Sequence, residues 1–284
     1  MPTRININGL ITTPEEATVS VLDHGLLFGD SVYETLRTYG GKPFLFSRHF
    51  ARLEHSASAI NLKLPWTKSE TLKEIGRTCV PDECRIRLMV TRGVGELSAD
   101  IETCVDPTVI IIVVSLVPPP GRIYTEGVDV VISSVRRSGW FADIKTGSLI
   151  HQVVARHEAN SKGAYEAILP TADEKLSDGI TSNIYIVRDG KVLTPAHDAG
   201  IVEGITRGVV LDLAREIGLQ VVEALFDVEE IGRADEMFLT SSTREVVPIA
   251  RVNGVPVGGG KPGPVTLALL QAYRSALERL IAED

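Results

Sequence analysis

Cysteine, aromatic side chains and positive charge are all scarce in this chain of 284 residues. The three cysteines, Cys79, Cys84 and Cys104, are odd in number and lack a CxxC spacing, which excludes a disulfide framework and a cysteine zinc site. They read as reduced thiols of the cytoplasm, and no metal is expected. Lys and Arg (29) are outnumbered by Asp and Glu (37), and the net charge of -8 argues against a nucleic-acid surface, which needs a basic face. An acidic whole can still hold a local basic pocket. Long hydrophobic runs are also missing: the longest, residues 109–117, is too short to cross a bilayer and reads as a buried strand. The opening MPTRININGLITT carries no apolar stretch of the kind a secretory signal needs. The expectation is a soluble cytoplasmic protein with neither membrane nor nucleic acid as partner.

What is present is ample core material, 44% hydrophobic residues with 23% charged, which excludes a disordered chain. Asn8-Gly9 marks a hairpin near the start. Phe50, Leu53, Ala57 and Ile60 share one face of a helix over 47–61, and Thr67 with Glu70 forms a capping box opening a helix to about 79. Ile86, Leu88 and Val90 alternate as a strand, followed by a second over 108–117. Pro118-Pro119-Pro120-Gly121 then breaks regular structure. Beyond it the pattern predicts strands at 128–135, 165–169, 183–187, 191–194, 221–224 and 236–241. Helices are expected at 148–162, at 205–217 and after Pro264, with hairpin turns at Asp189-Gly190 and Asn253-Gly254. The reading is an α+β chain with a small domain over 1–117, a Pro-rich linker over 118–122 and a larger domain over 123–284.

Several short segments could carry chemistry, each with a plainer alternative. Glu203-Gly204-Ile205-Thr206-Arg207 enters a helix whose first N–H groups and positive dipole end suit a phosphate, although any helix start offers these. Lys145 lies between a strand and a helix, where it is either a nucleophilic amine or the partner of Asp143. Arg52 is a phosphate fork or a solvated helix charge. Residues 177–185 form a polar turn before an apolar strand, and Thr240-Ser241-Ser242-Thr243 offers hydroxyls and backbone donors at a strand end. Residues 23–34 read as a glycine-punctuated turn in which His24 is structural.

Taken in order, DHGLLFGDSVYETLR, HFARL, DIKTGS, SDGITSNIY, EGITRGVV and ADEMFLTSSTREVVPI resemble the class IV (fold type IV) pyridoxal-phosphate enzymes over about residues 5–262. That group includes branched-chain and D-amino-acid aminotransferases, R-selective amine transaminases and aminodeoxychorismate lyases. The resemblance implies a two-domain α+β fold like that of D-amino-acid aminotransferase, pyridoxal 5'-phosphate as cofactor, a homodimer, and an amino donor and a keto acid as substrates. It places Lys145 as the Schiff-base lysine in the C-terminal domain. Arg52, Ile205, Thr206 and Ser242 match the phosphate cup, Val202 packs on the ring, and Thr181 lies in the turn beside it. Asp178 stands where the family usually has glutamate facing the pyridine nitrogen, one methylene shorter. Tyr33, Arg37 and Thr243 match the substrate side. Residues 91–100 lack the arginine and histidine of the standard D-specific loop. The expected activity is branched-chain-like or broad amino acid transamination, with R-amine or noncanonical D-amino-acid transamination next and the lyase last.

Overall fold

The computed structural model describes residues 3–137 and 143–283. The chain folds as two compact units: one of Met1–Val117, Ile144–Leu149 and Leu280–Asp284, the other of Pro118–Asp143 and Ile150–Arg279.

The first unit is built on a six-stranded antiparallel sheet ordered β2-β1-β6-β5-β3-β4. Its strands are β1 (Thr3–Ile7), β2 (Leu10–Thr12), β3 (Ser31–Tyr39), β4 (Lys42–Pro43), β5 (Cys84–Thr91) and β6 (Thr108–Ser115). Asn8 and Gly9 take left-handed φ values of 51° and 90°, as the tight β1–β2 turn demands. A short helix α1 (His24–Leu27) precedes β3, and α2 (Phe46–Ala59) and α3 (Lys68–Thr78) follow it. Phe50 and Leu53 of α2 and Ile75 of α3 join Leu36, Ile86, Leu88 and Ile111 in a single core. The capping box is present: Thr67 accepts from the Glu70 N–H and Glu70 returns a bond to the Thr67 N–H.

Sequence periodicity missed β3. The glycine-punctuated turn expected over 23–34 is instead a capped helix, with Asp23 accepting from the Gly25 N–H at 2.8 Å, running into nine residues of strand. The first four residues of β3 are buried on both faces, so apolar and polar residues do not alternate there.

The second unit contains an eight-stranded mixed sheet. Its order is β11-β10-β9-β12-β13-β7-β8, with β14 paired to β13. The strands are β7 (Val128–Ile132), β8 (Glu166–Ile168), β9 (Asn183–Arg188), β10 (Lys191–Pro195), β11 (Val221–Ala224), β12 (Glu236–Ser241), β13 (Glu245–Val252) and β14 (Val255–Pro256). The helices are α4 (Arg122–Thr125), α5 (Ile150–Ser161), α6 (Ile205–Glu216) and α7 (Pro264–Ala282). Strand β7 stops short of residue 135 because Ser133 and Ser134 turn away to the Glu158 carboxylate, 2.7 Å from Ser133 Oγ.

The lysine segment corrects the expected division of the chain. Ile144–Leu149 belongs to the first unit, not with the C-terminal residues, because its backbone pairs with β3: Tyr33 N–H donates to Lys145 O at 3.0 Å and Gly147 N–H to Ser31 O at 2.8 Å. A Cβ at Gly147 would stand 2.0 Å from Ser31 Oγ, so only glycine allows this approach. The cysteines are free thiols. Among the described residues no helix is long and apolar enough to cross a membrane.

Candidate active site

The site residues fall in both units. In the first, Lys145 is fixed at its backbone, its N–H donating to Ser56 Oγ at 3.1 Å while its carbonyl accepts from Tyr33. Its ammonium lies 4.6 Å from the centroid of the Tyr33 ring, and the Arg87 guanidinium lies 4.2 Å from that same centroid. Lys145 forms no ion pair among the described residues, while the Asp143 carboxylate stands 3.7 Å from His197 Nε2. An amine placed by its backbone and lacking a carboxylate partner is suited to act as a nucleophile.

Arg52, on α2, grips Glu34 as a fork, with Nε on Oε1 and Nη2 on Oε2, both at 2.7 Å. His49, one turn earlier, places Nδ1 2.7 Å from the same carboxylate. Burial opposes ionisation of Glu34, but Arg52 and His49 outweigh it and hold the carboxyl far below its ordinary range. Burial pulls His49 below its usual value against the attraction of Glu34. A neutral imidazole facing a carboxylate must carry its proton on Nδ1, so the ring donates and Glu34 accepts. Arg52 is thereby oriented from behind.

Arg37 packs over the Tyr39 ring at 3.8 Å. Strand register sets Arg37 opposite Arg85 and Thr35 opposite Arg87, so Tyr33, Arg37, Arg85 and Arg87 project from one face of the sheet while Leu36, Ile86 and Leu88 form the core on the other. Sequence reasoning used the apolar half of Arg85-Ile86-Arg87-Leu88 and passed over the basic half; the same alternation would have found it.

In the second unit Asp178 is buried, its Oδ1 accepting from Asn183 Nδ2 at 2.8 Å and its Oδ2 from the Val202 N–H at 2.9 Å. Burial pushes this carboxyl above its ordinary value, opposed chiefly by Arg137. The Asn183 amide also donates to Val202 O at 2.9 Å, tying the aspartate to the segment that leads into α6. Gly204, at the N-cap of α6, offers no capping side chain, and a Cβ there would fall 1.9 Å from Asn183 Oδ1. The N–H groups of Ile205, Thr206 and Arg207 have no acceptor among the described residues, which leaves an anion-binding helix start.

Ser242 and Thr243 occupy the turn between β12 and β13, closed by Arg244 N–H on Ser241 O at 3.2 Å. The Thr181 hydroxyl is already committed: it accepts from Arg244 Nη2 at 2.8 Å and faces Glu166 Oε2 at 3.4 Å. Within this unit the structure therefore joins Asp178, Val202 and the start of α6 through Asn183, and Thr181 to the Ser242 turn through Arg244. Asn183, Glu166 and Arg244 were not singled out from sequence, since each works through partners far along the chain.

Residues 31–252 match the family model of class IV amino-transferases. The chain is 35% identical over 277 residues to a Methanocaldococcus jannaschii protein provisionally designated a branched-chain-amino-acid aminotransferase, covering 95% of each. It is likewise 35% identical over 287 residues to a D-alanine aminotransferase of Listeria monocytogenes, covering 99% of this chain and 98% of that one. Among solved structures it resembles a branched-chain amino acid aminotransferase (source abbreviated T.th.) complexed with N-(5'-phosphopyridoxyl)-L-glutamate. The TM-score is 0.90 at 28% identity, over 99% of this chain and 95% of the other.

Proposed function

Because the chain belongs to the class IV aminotransferases, we propose that it transfers amino groups from a broad or branched-chain-like set of amino acids to a 2-keto acid, with Lys145 as the covalent anchor of the cofactor. The family uses pyridoxal 5'-phosphate, which when bound withdraws electrons from the substrate α-carbon and so makes its proton removable. The donor set fits that group. The uncapped start of α6 offers backbone donors to a phosphate, with Arg52 and the Ser242 turn as further partners, and Asp178 supplies the carboxylate for the ring nitrogen. Val202 and Thr181 flank the ring in this reading.

The amine of Lys145, once released by the incoming donor, takes the proton from the substrate Cα and later returns it. The course is ping-pong, one keto acid leaving before the second binds. Asn183 and the Val202 N–H fix the Asp178 carboxylate in place, so its charge is directed without reorganisation during turnover.

One observation carries the substrate reading. Tyr33 lies against both Lys145 and Arg87, with Arg37 and Arg85 on the same sheet face. A face with three arginines favours a substrate with a second carboxylate, so 2-oxoglutarate is the expected acceptor and Thr243 the expected contact of the α-carboxylate. The test is a panel of L-amino acids, D-amino acids and R-amines offered to 2-oxoglutarate and to pyruvate. L-donors with 2-oxoglutarate should turn over fastest. Conversion of R-amines or D-amino acids alone would move the assignment to the second reading, and pyruvate release from aminodeoxychorismate without an acceptor would move it to the lyase.

The working form in this proposal is a cytoplasmic homodimer. Ile150, Val153 and Val154 share one face of α5 yet are 73%, 60% and 49% exposed, and Val21, Leu26 and Leu97 of the first unit are as open, surfaces that a second copy would cover.

A further inference from the structure

Arg244 spends its donors inside the second unit. Nε donates to Ser241 Oγ at 2.9 Å, Nη1 to Glu166 Oε2 at 2.8 Å, and Nη2 to Thr181 O at 3.1 Å and to Thr181 Oγ1 at 2.8 Å. Its anchor, Glu166, is fully buried and also accepts from Arg156 Nη2 at 3.2 Å and from the Ile180 N–H at 3.1 Å. The Tyr124 hydroxyl donates to the Arg244 carbonyl at 3.2 Å, so the backbone of the turn is held as well. The next residue, Glu245, has a φ of 61°, a left-handed conformation that a non-glycine residue keeps only when its surroundings enforce it.

A guanidinium carries its donors in one rigid plane, so two loops bound to the same guanidinium cannot move independently. The loops here are residues 177–183, which carry Asp178 and Thr181, and the turn that carries Ser242 and Thr243. Because its donors face protein acceptors, Arg244 is poorly placed to bind an anion itself.

We propose that Arg244 is a positioning residue, a brace that sets the Ser242–Thr243 turn against the Thr181 loop and so fixes where the cofactor phosphate and the substrate carboxylate are received. The inference rests on the roles given to Ser242, Thr181 and Thr243 above. Loss of the brace weakens recognition of those two anions while leaving the proton transfer by Lys145 intact.

The test uses full-length Arg244→Met and Arg244→Lys. Apoenzyme is titrated with pyridoxal 5'-phosphate and, separately, with phosphate-free pyridoxal, and kcat and KM are measured at saturating cofactor. In Arg244→Met, affinity for the phosphorylated form should fall about tenfold or more and KM for the amino acid should rise by a similar factor, while pyridoxal affinity and kcat stay within about threefold. Arg244→Lys should not rescue, since one ammonium cannot span three acceptors. Equal weakening of both cofactor forms, or a lowered thermal midpoint with unchanged cofactor affinity and KM, would overturn the proposal. If Arg244→Met does not fold, Glu166→Gln, which keeps an oxygen for the Ile180 N–H but removes the charge under Arg244, should shift the same two constants in the same direction, and no shift there would overturn it. A wild-type enzyme that does not distinguish the phosphorylated cofactor from pyridoxal would instead sink the phosphate-cup reading on which the inference stands.

Discussion

At the scale of single residues, the chemistry assigned to Lys145 and the charge assigned to Glu34 make separable demands. Replacing Lys145 by Ala removes both the anchor and the proton carrier. Turnover should fall by at least about 10³-fold and the covalently held chromophore should disappear, with partial recovery on adding a small primary amine. Steady-state rates and the visible spectrum check this, and near wild-type turnover without added amine would refute the assignment. The second demand concerns acid. His49 is held below its ordinary value in the folded chain, so the unfolded chain binds its proton first, and the stability tied to the neutral ring is present above about pH 6.5. It is lost as pH falls below that value toward the folded-state pKa. Glu34, whose carboxyl is also depressed, adds stability present above its ordinary value and lost further into acid. Denaturant midpoints measured across pH 7 to 5 should therefore fall, and His49→Asn, which does not titrate, should flatten that limb of the curve.

At the scale of elements, the entrance to α6 is the sensitive feature. A methyl group on residue 204 would collide with Asn183 Oδ1, and the Asn183 side chain in turn holds Asp178 and Val202. Gly204→Ala should cost about 1–3 kcal/mol of stability, as overpacking of a close contact does, and should weaken cofactor binding as well. Chemical denaturation and cofactor titration measure the two effects, and a variant with neither would show that Asn183 yields freely. Element formation was readable where a local signal decides it. Asn8-Gly9, the Thr67–Glu70 box and Asn253-Gly254 each specify a turn or cap within a few residues, and each appears in the structure. Strand β3 was not readable, because burial of both faces at its start comes from partners at β5 and the 144–149 segment, and no local pattern encodes them.

At the scale of the whole molecule, the exposed apolar strip on α5 has a measurable consequence. Val153→Glu with Val154→Glu places two charges on a face that the proposed dimer would bury. The double variant should elute as a monomer in size-exclusion chromatography at concentrations where the wild type is a dimer. A wild-type monomer would refute the dimer. The match to class IV aminotransferases over residues 31–252 accords with six sequence blocks whose order and spacing already pointed there.

The sequence by itself determined the family, the α+β class, and the residue types needed for an amine, a ring-facing carboxylate and a phosphate cup, because these lie in short blocks whose chemistry is carried locally. Only the tertiary structure decided that Lys145 is pinned to β3 within the first unit, that Arg87 shares Tyr33 with it, and that Arg244 ties the Thr181 loop to the Ser242 turn. Those contacts join residues dozens of positions apart, such as Thr181 and Arg244 at 63. Their partners are chosen by strand register and burial, which no local spacing records.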